Sequence, residues 1–138
     1  MLTPPELAAV CNVTYRQLNH WMTQGWIVGD ASQANPRWSL LTPTDATRVA
    51  VLAHAGRARY RLETIATLLA DVEIPLRREG CIVVSGLTEL TVQWVAATDL
   101  VDWLEANVGP HLVVSTQRWI TAARLHETSR TKPTRRTA

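Results

Sequence analysis

The stretch TPPELAAVCNVTYRQLNHWMTQG leaves the chain little freedom in how it begins to fold. Thr3 can cap a helix, Pro4 takes the first helical position where no amide bond is lost, and Glu6 completes a Thr-x-x-Glu capping box. Leu7, Val10 and Cys11 then fall on one side. Asn12 tolerates the left-handed conformation, so a very short turn comes next, and Thr14 caps a second helix that Gly25 stops. At roughly 100° per residue, Leu18, Trp21 and Met22 share one face of that helix, while Arg16, Asn19, His20 and Thr23 point the other way. Two helices joined this tightly, each with a single apolar face, form a helix-turn-helix.

Beyond Gly25, WIV, the polar GDASQANP and RWSLL read as a short hairpin with a flexible tip, a wing. Thr42, Pro43 and Asp45 repeat the capping logic and open a helix with Ala46, Val49, Leu52 and Ala53 inward, broken within HAGRARY around Gly56. Leu62, Ile65 and Leu69 line a fourth helix that runs to about Ala70. DVEIPLRREG is the linker, because Pro75 cannot continue a helix and the segment lacks periodicity. CIVVSG and TVQWVAA are β-branched strands separated by GLTEL. Thr98 caps DLVDWLEANV, with a stripe of Leu100, Leu104 and Val108, and Gly109-Pro110 ends it. HLVVS adds a strand and TQRWITAARLHE a helix in which Trp119, Ile120 and Ala123 group together. The expected fold is α+β: an N-terminal winged helix-turn-helix over residues 1–71, a linker over 72–80, a small ββαβα module over 81–128, and a basic disordered tail over 129–138.

Composition narrows the function. The chain has 138 residues, 46% of them hydrophobic, enough to bury a core. No stretch approaches the roughly 18 apolar residues of a membrane span, and MLTPPELAAVCN lacks the features of a signal peptide, so a cytoplasmic location is expected. Cys11 and Cys81 have no partner pattern and read as buried thiols, with neither metal nor cofactor implied. No Gly-rich phosphate loop, nucleophile elbow, HExxH or paired carboxylates appear, and His20, His54, His111 and His126 are scattered, which speaks against an enzyme. The formal net charge is +2. Its distribution says more: residues 1 to 70 carry Arg16, Arg37, Arg48, Arg57, Arg59 and Arg61 against Glu6, Asp30, Asp45 and Glu63. The segment from Cys81 to Ser129 is slightly acidic, and RTKPTRRTA is basic again.

The order helix, turn, helix, wing, helix, helix, with TYRQL opening the second helix and HWMTQGW closing it, resembles the MerR-like winged-helix DNA-binding domains, above all the actinobacterial members with a T-Y-R-Q-L-x-x-W-x-x-x-G pattern. The match covers residues 2 to about 70, and the later ββαβα stretch is similar to a small C-terminal module of some of those regulators. The resemblance implies that the second helix enters the major groove. It also departs from the family in three places. Asn19 and His20 occupy the positions of an Arg-Tyr pair that contacts phosphates. RWSLLT is two residues longer than the usual wing ending, which leaves Arg37 as the wing contact. No long dimerisation helix follows Ala70, so effector sensing is not inherited.

The residues expected at DNA are therefore Thr14, Tyr15, Arg16, Gln17, Asn19, His20, Arg37 and Trp38. Arg16 can pair bidentately with guanine or grip a phosphate, and Asn19 can read adenine, although each could equally be a solvated helix side chain. Tyr15 divides between packing and a phosphate contact, and protonation would make a His20 contact pH-sensitive. The other tryptophans read as core rather than as stacking platforms for single strands. The expectation is a sequence-specific double-stranded DNA-binding transcriptional regulator, a homodimer through its C-terminal module, which could instead bind another protein. Two alternatives are an architectural factor resembling a phage excisionase and a protein-interaction adaptor on the same scaffold.

Overall fold

The computed structural model describes residues 1–35, 38–86 and 88–131, of which 30–35, 38, 39, 130 and 131 are described by their backbone alone. The fold is α+β. The elements are α1 (Pro4–Val10), α2 (Tyr15–Thr23), β1 (Asp30–Asn35), β2 (Trp38–Leu40), α3 (Pro43–Arg57), α4 (Leu62–Ala70), β3 (Gly80–Ser85), β4 (Thr91–Ala96), a short 3-10 turn (Ala97–Asp99), α5 (Leu100–Ala106), β5 (His111–Ser115) and α6 (Thr116–Thr131). None of the described helices is long and apolar enough to cross a membrane.

Local chemistry sets the helix starts. Thr3 and Glu6, Thr14 and Gln17, and Thr42 and Asp45 each form a reciprocal capping box. Asn12 bridges α1 and α2 at φ 53°, and Gly25 ends α2 at φ 76°. Leu18 and Trp21 are buried, whereas Arg16, Asn19, His20 and Thr23 are exposed. That division is the one the helical period predicts.

Helix α3 organises the rest. Besides Ala46, Val49 and Leu52, it buries Thr47, Ala50, Val51 and Ala55, so it is enclosed on nearly every side. Helices α4 and α6 and strand β5 pack directly on it, while α1 packs on α2 and α6 and meets α3 where the Cys11 thiol donates to the Ala46 carbonyl. A buried hydrogen bond from the Thr47 hydroxyl to the Thr116 carbonyl, 3.2 Å, joins the two halves at that seam. The Thr116 hydroxyl in turn donates to the Gly80 carbonyl at 3.1 Å. Residues 72–79 are irregular yet tied down: Ile74 is buried in the shared core, and Gln117 donates to the carbonyls of Leu76 and Arg78.

The three-stranded sheet has the order β4-β3-β5, with both neighbours antiparallel to β3. Ile82 pairs with Trp94 and Val114, and Val84 with Val92 and Leu112; these side chains face the shared core. The alternate residues Val83 and Val95 are buried on the opposite face, where Trp103 of α5 meets His111 edge-on at 5.1 Å. Both faces of the small sheet are thus covered, by α3 and α6 on one side and α5 on the other.

Four sequence readings need correction. WIV is not a strand: the Trp26 and Ile27 amides donate back to the Trp21 carbonyl, so these residues close α2, and β1 forms instead from Asp30–Asn35 within the segment expected to be a flexible tip. Helix α3 passes through Gly56 and ends at Arg57, followed by Arg59 in the left-handed region at φ 64°. Helix α5 starts from a 3-10 turn without a side-chain cap and stops before Asn107, whose side chain donates to the Trp103 carbonyl; Val108, expected on its apolar stripe, is 97% exposed. Helix α6 runs to Thr131, so the first residues assigned to a disordered tail are helical, and residues 132–138 lie outside the described residues. Of the two thiols, Cys11 is buried and donates to the Ala46 carbonyl, with its pKa pushed up by burial to about 12; Cys81 is only half-buried.

Gly80 is required by packing. A methyl group at that position would collide with the Trp94 indole, whose ring carries the Arg78 guanidinium at 5.0 Å. Gly80→Ala should therefore cost about 1–3 kcal/mol of folding free energy through displacement of the indole. Urea unfolding should show a lower midpoint with an unchanged slope.

Candidate nucleic-acid interface

The N-terminal half of α2 presents an exposed polar surface on a helix anchored in the core. Leu18 and Trp21 anchor it to the core, and the α1 turn fixes its start. Thr14, Tyr15, Arg16, Gln17, Asn19 and His20 all face solvent, Tyr15 at 46%. They are not chemically equivalent. The Thr14 hydroxyl accepts from the Gln17 amide at 3.0 Å, and the Gln17 side-chain oxygen accepts from the Thr14 amide at 3.2 Å and from its hydroxyl at 3.4 Å. Gln17 thus spends its acceptor at home, leaving only its NH2 group for a ligand. The His20 ring lies edge-on to Trp26, 6.0 Å between centroids, which orients the imidazole at the C-terminal end of the polar face.

Arg37 lies outside the described residues. Trp38 is described by its backbone, as the first residue of β2, where it pairs with Asn35. The β1–β2 hairpin is pinned at its base by Asp30 opposite Leu40. The paired amides and carbonyls of Leu2 and Leu41 extend that base to the chain start.

The structure adds a set of residues that the sequence presents only as charge. A cleft of about 580 Å³ separates α2 from the C-terminal end of α3 and the start of α4; Arg16, His20 and Arg57 line it together with Thr14 and Gln17. Arg59 and Arg61 follow Arg57 on the α3–α4 turn and border a second cleft, of about 680 Å³, on its other side. Arg16, Arg57, Arg59 and Arg61 are all exposed, neither cleft is lined by an acidic residue, and none of the four forms an ion pair among the described residues. The detectable signal is GRARYR itself, three arginines at alternate positions in a segment that reads locally as a helix break. Asn19 and His20 leave α2 with one fixed positive charge, and the arginine turn supplies the rest.

The chain matches no protein-family model and no curated protein.

The capping box separates two roles for Thr14 and Gln17. Thr14→Ala should lower stability by about 1 kcal/mol, seen as a reduced melting temperature, because the first-turn amides lose their acceptor. Gln17→Ala should likewise act on stability and leave any base preference unchanged; a changed preference would mean that its NH2 group reads a base.

Proposed function

We propose that the protein is a sequence-specific double-stranded DNA-binding transcriptional regulator on a winged helix-turn-helix scaffold of the MerR-like kind. The observation that carries this reading is that Arg57, which opens the arginine turn Arg57, Arg59 and Arg61, shares with Arg16 and His20 of α2 a cleft that no acidic residue lines. A helix in the major groove needs short polar side chains that reach base edges and a separate set of cations that grips the flanking phosphates. Arg16, Asn19 and His20 are the first set; the arginine turn is the second. The β1–β2 hairpin, with Arg37 between its strands in sequence, lies along the neighbouring backbone in this reading.

The test is selection of bound sequences from a random duplex library, with the wild type and Arg16→Ala in parallel. A motif should be enriched, and Arg16→Ala should lose about 1–3 kcal/mol on it while relaxing one position, as expected for a guanine contact. Equal losses on selected and random DNA would assign Arg16 to phosphate. Replacing Arg57, Arg59 and Arg61 together by Gln should weaken all duplexes alike and reduce the slope of log affinity against log salt by about 0.9 for each phosphate no longer neutralised. No binding at low salt would overturn the proposal.

The C-terminal module serves, in the same reading, to pair two copies so that their recognition helices address a two-fold-symmetric site. Val101 at 66% and Val113 at 41% exposure leave apolar surface on α5 and the outer sheet face. Light scattering at micromolar concentration should give a dimer that Val113→Asp converts to a monomer. A monomeric wild type, free and on DNA, would exclude this role.

A further inference from the structure

We propose that the cleft between α3 and α6 is a phosphate-binding site, in which Arg57 and Arg118 hold the anion's oxygens and Trp119 forms the wall beside them. The cleft measures about 400 Å³ and opens where the α1–α2 turn crosses the two helices. His54 and Arg57 enter it from α3, Arg118 and Trp119 from α6, and Ala53 and Ala122 keep it open. The side chains contributed by α1 and the turn are uncharged, and no acidic residue lines the cleft.

Two separate geometries point to an anion. The Arg118 guanidinium lies over the Trp119 ring at 5.3 Å, and the same ring lies 6.1 Å from the His54 imidazole, so one indole lies against both groups. Arg57 belongs both to this cleft and to the one beside Arg16, which makes the site a continuation of the cationic surface running from α2. Guanidinium forks suit tetrahedral phosphate oxygens. His54 reports the local field. Burial first, and then the positive charges of Arg57 and Arg118, hold its pKa below the ordinary value of 6.5. A bound phosphate dianion would reverse the effect of the two arginines and raise it.

The shared chemistry is the phosphate oxygen, and its source is either the DNA backbone or a small phosphomonoester. Only the first source rests on the DNA-binding reading. The experiment is an NMR titration of the His54 ring nitrogens in the full chain between pH 5 and 8, with inorganic phosphate, a 5′-mononucleotide or a random duplex added, against sodium chloride at matched ionic strength. Saturable binding of inorganic phosphate with a raised His54 pKa is expected. Arg118→Gln and Arg57→Gln should each weaken binding about tenfold or more, as loss of a charge-assisted bond requires. Arg118→Lys should recover part of it. Phosphate acting no differently from chloride, or an Arg118→Gln variant that titrates like the wild type, would overturn the site. A duplex that displaces phosphate and itself raises the His54 pKa identifies the DNA backbone as the source. A duplex that leaves His54 unmoved while the mononucleotide binds identifies a free phosphomonoester. Phosphate binding in a protein that binds no DNA would keep the cleft and remove the regulator reading, so the two proposals fail separately.

Discussion

Everything in this molecule leans on the double-sided burial of α3. A helix in contact with neighbours on almost every face has no solvent-facing stripe to absorb error, and Ala46, Thr47, Ala50 and Ala55 keep it thin enough for helices to approach on both sides. Helices α4 and α6 and strand β5 all pack directly on this helix, and α1 reaches both it and α6. Thr47 and Thr116, fully buried, fix the register across the seam with a directed bond rather than by shape alone. The arrangement also requires a firm start to α3. Asp45 supplies it from a nearly buried position, bonded to the Thr42 amide at 2.8 Å and hydroxyl at 3.0 Å, with Arg48 3.5 Å away. Burial pushes its carboxyl up, and the bonds to Thr42 and the Arg48 charge oppose that without cancelling it. The folded chain therefore holds this proton to a higher pH than the unfolded chain, so the contribution of Asp45 to stability falls as pH rises through its folded-state pKa.

The fold is legible in the sequence wherever a side chain bonds to its own backbone. Thr3, Thr14 and Thr42 mark three helix starts because a capping box involves only four consecutive residues, and Asn12 and Gly25 mark left-handed turns for the same reason. The polar face of α2 is visible because helical periodicity needs no tertiary information. The strands of the C-terminal module are visible because CIVVS and TVQWV are β-branched.

The less legible elements depend on partners distant in sequence. DASQAN has no apolar alternation to advertise a strand; it becomes one because Leu2 and Leu41 fasten the base of the hairpin. Thr47, Ala50 and Val51 resemble the back of an amphipathic helix until α6, some 69 positions further along at Thr116, covers them. Gly56 resembles a stop signal. Helix α3 nevertheless continues through it to Arg57, and the chain turns only at Arg59. The arginine turn is hidden as part of the candidate site because its cations are set by a helix end that periodicity misplaces.

The true position of that helix end bears on how the proposed site divides its work. Arg59 adopts a left-handed backbone, which favours glycine and costs an L-residue about 1 kcal/mol, while the Tyr60 amide closes the helix end on the Ala55 carbonyl. A glycine there would satisfy the turn with less strain but would remove one cation from the group Arg57, Arg59 and Arg61. Keeping arginine in a strained position is intelligible if charge matters more at this turn than local ease. In the proposed reading the same division lets α2 carry Asn19 and His20 in place of strongly charged groups: held by Leu18 and Trp21, it would present hydrogen-bonding edges, while α3 and its turn would supply the electrostatic grip.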